Sequence, residues 1–437
     1  MWIKTAGLLL VGYLCLSRTF AYVGIPVWNA FIGEAVLVLF VVAGPRMGKM
    51  KWPWMAWKMP ALRPLVYCYA LFLVYGVFQV WRGIQAGNPA LVALRDLTFN
   101  LYPLYFLLGI WAGVKRPDLL PRLIRGFAWF NGIYGVLYIL FLNRVDWTLS
   151  GVSSDAATVP IFGQPIYSFV ALLGLLAFEK NLSRSWHLYL LNGFVMLGMQ
   201  IRTEWLAFAI GVAVWCVLTR QGMRVVQAGV VLASLLAVMY FTDFRLPSPQ
   251  GRAETDFSVK QLADRGLAPF RADVGDQKAA AGLGEADSQE ATFVFRTVWW
   301  MAIWDSVHSG LQTTVLGHGY GFPLGDLVPY LKGEFIRTPH NEFFFALGYT
   351  GWVGVALFFL FQFGIVRLLI KAHRIAEEPF GVVLWAAMMV LGMFFPLCET
   401  PYGAIPFYLI LGWCVASLIV EKTRGLRWLL KPEVSHG

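Results

Sequence analysis

Charged residues are scarce in this chain. Asp, Glu, Lys and Arg make up 14% of its 437 residues, against about 25% in an ordinary soluble domain. With 58% hydrophobic residues, 19 Trp and 34 Phe, that shortage excludes a soluble surface. Cysteine is also rare. Cys15, Cys68, Cys216, Cys398 and Cys414 all sit in or beside apolar stretches, with neither zinc spacing nor a disulfide framework. There is no glycine loop of the nucleotide-phosphate type, so no ATP is expected. The formal net charge of +10 would suit nucleic acid only if it were gathered in one place. It lies instead in short runs between apolar segments, where it orients a chain in a membrane.

What the chain has in quantity is long apolar runs. A spanning helix needs about 20 mostly apolar residues. That measure predicts an all-α polytopic membrane protein with about twelve transmembrane helices. They are expected near Thr5–Ser17, Trp28–Gly44, Leu65–Trp81, Phe99–Val114, Leu123–Leu142 and Ile161–Phe178. Six more are expected near Trp186–Ile201, Trp205–Leu218, Val225–Phe241, Glu342–Ile370, Phe380–Leu397 and Tyr402–Val420. The first follows Lys4 but has no convincing small-x-small cleavage site, so it reads as an anchor rather than a removable signal.

Short cytoplasmic loops retain Lys and Arg, which sets the orientation. With the N-terminus inside, the inner segments hold Lys4, Arg46, Lys49, Lys51, Lys58, Arg63, Lys115, Arg116, Arg122, Arg125, Lys180, Arg184, Arg220 and Arg224. Arg367, Lys371, Arg374, Lys422, Arg424, Arg427 and Lys431 follow the same pattern. The short outer loops hold only Arg18, Arg82, Arg95, Arg144 and Arg202. Both termini are therefore expected in the cytoplasm.

The remaining basic residues lie in one long outer loop. Residues 1–241 form the expected helices 1–9, 242–341 the loop, and 342–437 helices 10–12 with a tail. The loop's first part, Asp243 to Glu285, is rich in Pro, Gly, Ala and Asp, with one short helix expected near Ser258–Asp264. Asp287 and Glu290 then have capping-box spacing, opening an expected surface helix over about 288–309. Its period places Arg296, Trp300, Ile303 and Val307 on one face. Trp299 and Trp304 suit an interfacial position.

The most informative stretch runs Arg337-Thr338-Pro339-His340-Asn341-Glu342 into Phe343-Phe344-Phe345-Ala346-Leu347-Gly348, then Gly351 and Gly354. Pro339 ends the loop, and Asn341 and Glu342 occupy the first helical turn, where caps and the helix dipole favour them. The three-residue glycine spacing permits close approach of a neighbour. An imidazole here can take a proton near neutral pH, although a histidine at a helix end can equally serve only as a hydrogen-bonding group.

The His-Asn pair followed by Leu-Gly-x-x-Gly-x-x-Gly, closing a long outer loop, resembles the O-antigen ligase and polymerase superfamily. Gly317-His318-Gly319-Tyr320-Gly321 is similar to its glycine-rich turn, and Phe295-Arg296-Thr297-Val298-Trp299-Trp300 to its arginine-bearing surface helix. Gln200-Ile201-Arg202-Thr203-Glu204-Trp205 stands where the family often has Ser-Arg-Gly, so Ile201 and Thr203 depart from it. The resemblance covers roughly Ile161 to Val420 and implies a GT-C-like membrane glycosyltransferase of the Gram-negative inner membrane. Size and the single long loop look most like an O-antigen ligase. Such an enzyme moves glycan from undecaprenyl pyrophosphate to lipid A–core at the periplasmic face.

In that reading His340 is the general base, and Arg202, Arg296 and Arg337 bind the pyrophosphate, for which a planar cationic fork is suited. His318, Asn341, Glu342, Glu204 and Gln164 are supporting candidates. Each has a plainer reading: Arg202 can snorkel to headgroups, Arg296 can face water, His318 can be a turn residue, and Glu204 and Glu342 can be solvated first-turn acids. No Asp-x-Asp pair is present; Glu254-Thr255-Asp256 and Glu285-Ala286-Asp287 come closest. The expected reaction uses neither metal nor cofactor. The competing expectations are a polymerase that extends a lipid-linked glycan and, in another class, a flippase or transporter. A transporter calls for ionisable groups deep in the spans and matched broken helices. Glu34 is nearly alone within the spans, and no repeat is apparent.

Overall fold

The computed structural model describes residues 2–22, 24–25, 30–43, 60–145, 147–153, 156–179, 182–223, 225, 234, 237–243, 245–246, 257–258, 289–332 and 338–420. The architecture is a bundle of α-helices. In chain order the principal ones are α1 (Trp2–Ala21), α2 (Ile32–Ala43), α3 (Arg63–Gln85), α4 (Ala90–Asp96), α5 (Thr98–Leu101), α6 (Leu104–Lys115), α7 (Leu119–Leu140) and α8 (Ser168–Phe178). They continue with α9 (Leu182–Gly198), α10 (Arg202–Thr219), α11 (Gln289–Val307), α12 (Leu311–Leu316), α13 (Glu342–Ala376), α14 (Phe380–Gly392) and α15 (Pro401–Val415). Strands among the described residues form three small antiparallel pairs, the longest joining 148–153 to 156–160.

Among the described residues seven segments are long and apolar enough to cross a bilayer: Trp2–Ala21, Arg63–Gln85, Ala90–Lys115, Leu119–Leu140, Arg202–Thr219, Glu342–Ala376 and Pro401–Val420. Each covers an expected span, and the chain is a multi-pass membrane protein. Ile32–Val42, Ser168–Phe178 and Phe380–Gly392 are shorter apolar helices on three further expected spans, and α9 occupies the place of another. Most of the segment expected at Val225–Phe241 lies outside the described residues, as do 259–264 of the short loop helix and Asp287 of the capping box. Among the described residues seven spans are therefore full-length, and the expected count of twelve is neither reached nor excluded. Two helices are shorter than expected because their ends at one side of the bundle are not helical. Residues 161–167 lead into α8 without helix, and 393–400 form turns after α14.

Exposed apolar residues run along α2 and α3, including Val38, Leu39, Val41, Leu71, Val74 and Val77. In water this would be a liability; in lipid it is the expected outer surface. The centre of the bundle is α15, buried along its whole length. It can sit there because α6 meets it backbone to backbone. A Cβ on Gly109 would lie 2.2 Å from the Leu409 carbonyl oxygen, and one on Gly412 2.0 Å from that of Phe106. Small residues drive this kind of approach between membrane helices.

α13 is broken at Gly351, whose φ of 62° and ψ of −170° interrupt the helix. The turn that follows α12 satisfies the backbone acceptors freed there. His318 N–H donates to the Gly348 carbonyl and Gly319 N–H to that of Tyr349, both at 2.9 Å, while the Tyr75 hydroxyl donates to Thr350 O at 2.7 Å. Arg82 and Gln79 of α3 cap the other side, donating to the Leu316 carbonyl. The break separates a first segment, 342–350, from the long span. His340 lies at the head of that first segment.

Candidate active site

The turn at His340 is built by its neighbours. Asn341 caps α13: its side-chain oxygen accepts from Phe343 N–H at 2.9 Å and Phe344 N–H at 3.2 Å. Its amide Nδ2 donates to the Met393 carbonyl at 2.9 Å, fastening the turn after α14. Glu342 is 4% exposed and accepts through Oε1 from Cys398 N–H at 2.5 Å. It therefore faces the adjoining turn rather than solvent. Replacing Asn341 with Ala is expected to lower stability by about 0.5–2 kcal/mol, the usual range for a lost cap. Asn341→Asp should recover part of that loss, since it keeps the acceptor. Thermal unfolding in detergent checks both.

His340 itself has a φ of 53°, in the left-handed region that non-glycine residues visit seldom. The carbonyl of Pro339, the residue before it, accepts from the Trp300 indole N–H at 2.7 Å, and Trp300 stacks on Phe344 with ring centres 5.5 Å apart. Among the described residues the imidazole makes no hydrogen bond of its own. Burial, with the positive fields of Arg296 and Arg18, lowers its pKa to about 4. It is therefore neutral at pH 7 and able to accept a proton.

Arg296 reaches the same place from α11, its Nη1 donating to the Phe394 carbonyl at 3.1 Å. The face of α11 that turns inward carries Trp299, Ile303 and Val307, all buried. Trp299 is thus not interfacial, and its indole N–H donates to Leu324 O at 2.8 Å. Arg18, from the end of α1, stands with its guanidinium carbon 5.3 Å from the centre of the Tyr402 ring. Tyr402 is the second residue of α15, and its carbonyl accepts from the Tyr167 hydroxyl. Glu204 of α10 is close enough to Tyr167 for its charge to act there. Arg202, half-buried two residues earlier, is brought to this end of the bundle by that packing.

Gln164 is half-buried beside Gly163, whose carbonyl accepts from the Tyr134 hydroxyl at 2.6 Å. A Cβ on Gly163 would meet Thr19 Oγ1 at 2.9 Å, so this segment rests against the end of α1. His318 is elsewhere. Its Nε2 is 2.9 Å from Ser306 Oγ, and its ring stacks on Phe322 with centres 4.3 Å apart. Burial and the charge of Arg82 lower its pKa. Its backbone meets Gly348, eight residues along the chain from His340, roughly 12 Å at 1.5 Å per helical residue. Arg337 lies outside the described residues. Among the described residues, no three His, Cys, Asp or Glu side chains are grouped to hold a metal ion.

A groove of about 480 Å³ runs between α13 and α14, lined by Glu342, Phe343, Phe359, Trp385, Met389 and Met393 among others. Its upper end at Glu342 and Met393 adjoins the His340 turn. A cluster of cations, a neutral imidazole and an apolar groove at one end of a membrane bundle is an arrangement suited to a phosphate-bearing lipid.

Residues 187–359 match the family model described as O-Antigen ligase. Over those residues, about two fifths of its length, the chain is similar to the O-antigen ligase/polymerase superfamily. No curated protein matches the sequence. Superfamily members are glycosyltransferase-like enzymes. The superfamily segment runs from α9 into the long part of α13 and includes Arg202, Glu204, Arg296, His318, Arg337, His340, Asn341 and Glu342. Gln164, Arg18 and Tyr402 lie outside it. Arg18 is the residue that sequence reasoning missed, since it counted only as an outer-loop charge. Nothing in its immediate sequence marks it, because the tyrosine that holds it lies almost the whole chain away.

Proposed function

We propose that the chain is a lipopolysaccharide O-antigen ligase, moving glycan from undecaprenyl pyrophosphate to lipid A–core at the periplasmic face of the inner membrane. The observation that carries this reading is His340, neutral and without a hydrogen-bond partner among the described residues, under the fields of Arg296 and Arg18 within the superfamily segment. His340 takes the proton from an acceptor hydroxyl. The hydroxyl oxygen bonds to the anomeric carbon from the face opposite the leaving group, and the bond from that carbon to the phosphate oxygen breaks. Undecaprenyl pyrophosphate leaves with the electron pair, and the configuration inverts. Arg296 and Arg202 neutralise the developing charge, and no protonation of the leaving group is required. The apolar groove beside the site supports a lipid-linked donor.

The charges also give an order to events. In the free enzyme two cations oppose protonation of His340. A bound pyrophosphate offsets their field and makes the imidazole a stronger base, so the base is strengthened when the donor is in place. The acid limb of kcat/KM, which reports the free enzyme, is accordingly expected well below pH 6.5. That of kcat, which reports the complex, is expected at higher pH than the kcat/KM limb. Coincident limbs near 6.5 would contradict this electrostatic account.

Loss of a positioned donor to transition-state charge typically lowers turnover by about 10²–10³, which is the expectation for Arg296→Ala. Arg296→Lys should recover little of it, because an ammonium lacks the fork. The direct test gives purified protein undecaprenyl-linked glycan and lipid A–core, with chelator present. Glycan on lipid A–core is the expected product. Longer lipid-linked chains would instead make the acceptor another lipid-linked glycan, and no product from either acceptor would overturn the reading.

A further inference from the structure

Arg18 lies in a helix outside the superfamily segment, yet three features aim it at the site. Ser17 has a φ of 46° and a ψ of −120°, a break in α1 one residue before it. A non-glycine residue held there is strained, and such strain persists only where the surroundings impose it. Ser17 is buried, so the break redirects the last turn of α1 from within the fold. Beyond it the guanidinium is placed over the Tyr402 ring at 5.3 Å, and Tyr402 is itself 3% exposed and anchored through its carbonyl by Tyr167. The Arg18 side chain nonetheless stays open to solvent. No carboxylate pairs with it in a salt bridge among the described residues.

We propose that Arg18 is a further cation of the diphosphate-binding face, aimed by Tyr402 and acting with Arg296 on the phosphates of the lipid donor. This rests on the reading of the site given above. A guanidinium over an aromatic face keeps much of its N–H edge for phosphate oxygens. Arg18 also hydrogen-bonds the Tyr402 side chain, which orients it while leaving it the rest of its five N–H donors. Its charge also reaches His340, which a side chain merely snorkelling to headgroups has no reason to do. The charges acting on that ring are Arg18 from α1 and Arg296 from α11, while the carboxylates of the adjoining segments are Glu342 and Glu399.

A phosphate on Arg18 can come from the donor or from a phospholipid headgroup, and the two are separable. Farnesyl pyrophosphate is the binding probe, with full-length protein in detergent, titrated with and without phosphatidylglycerol. Arg18→Gln is expected to weaken the probe roughly tenfold, the scale of one charge-assisted hydrogen bond, with phosphatidylglycerol failing to compete. The acid limb of kcat/KM should move to higher pH in Arg18→Gln and stay in place in Arg18→Lys, a change that lost packing alone does not produce. Arg18→Lys also serves if the glutamine variant does not fold; it should bind the probe more weakly than wild type while keeping the pH profile. Unchanged probe affinity and pH profile in the Arg18 variants, with Arg296→Ala impaired, would overturn this proposal alone. Displacement of the probe by phosphatidylglycerol would assign Arg18 to headgroups and overturn it as well. Failure of wild type to bind the probe would remove the reading of the whole site.

Discussion

His340→Ala is expected to abolish glycan transfer while leaving the protein folded in the membrane. A positioned general base is worth about 10²–10⁴ in rate, and among the described residues no other imidazole stands in its place. His318 is the nearest alternative in the motif, but it is held on Ser306 and Phe322 at the far end of the first segment of α13. The fold should tolerate the change because the imidazole makes no hydrogen bond among the described residues. The turn is held by Asn341, Trp300 and Glu342 instead. The donor should still bind, since the arginines remain. Transfer assays paired with a binding measurement separate the two outcomes, and full activity in the variant would exclude the base role.

Gly351→Ala is expected to cost the most in stability. Its φ and ψ belong to a region that is essentially glycine's alone. A Cβ there would also lie 2.4 Å from Gly317 N, 2.5 Å from Val315 O and 2.6 Å from Leu316 N. All three are backbone atoms and cannot turn aside. Relief requires the turn at Gly317 to move off α13, releasing the hydrogen bonds to Gly348 and Tyr349. Strain of about 1–3 kcal/mol with two hydrogen bonds at about 0.5–1.5 kcal/mol each makes a loss of several kcal/mol. Gly193→Ala is the control, since nothing lies within 4 Å of a Cβ there and alanine is the better helix former by about 1 kcal/mol. Detergent unfolding should show a large drop for the first variant and none for the second.

Much of this was legible in the chain before any coordinates. Apolar length alone located the seven full-length spans of the described residues, because in lipid a helix must satisfy its own backbone. The capping role of Asn341 followed from its residue type and position, and the structure bears it out. The glycines of the motif signalled a close approach, and one occurs, but the partner at Gly351 is a turn of backbone rather than a passing helix. Periodicity placed Arg296, Trp300, Ile303 and Val307 on one face of α11, yet it left Trp299 at the interface when its indole is buried against Leu324. Pattern reads hydrophobicity along one helix and says nothing of the turn that will cover it. Arg18 was beyond reach for the same reason. Its contact with Tyr402 joins two helices from opposite ends of the chain, and only the packed bundle brings them together.

One measurement bears most directly on how these groups work as a unit: a histidine-selective NMR titration of the protein in detergent, with His340 assigned by mutation. In the free protein its imidazole should remain neutral well below pH 6.5, and adding farnesyl pyrophosphate should shift its titration to higher pH. An ordinary titration near 6.5 that ignores the pyrophosphate would mean that the cations and the imidazole do not share a site.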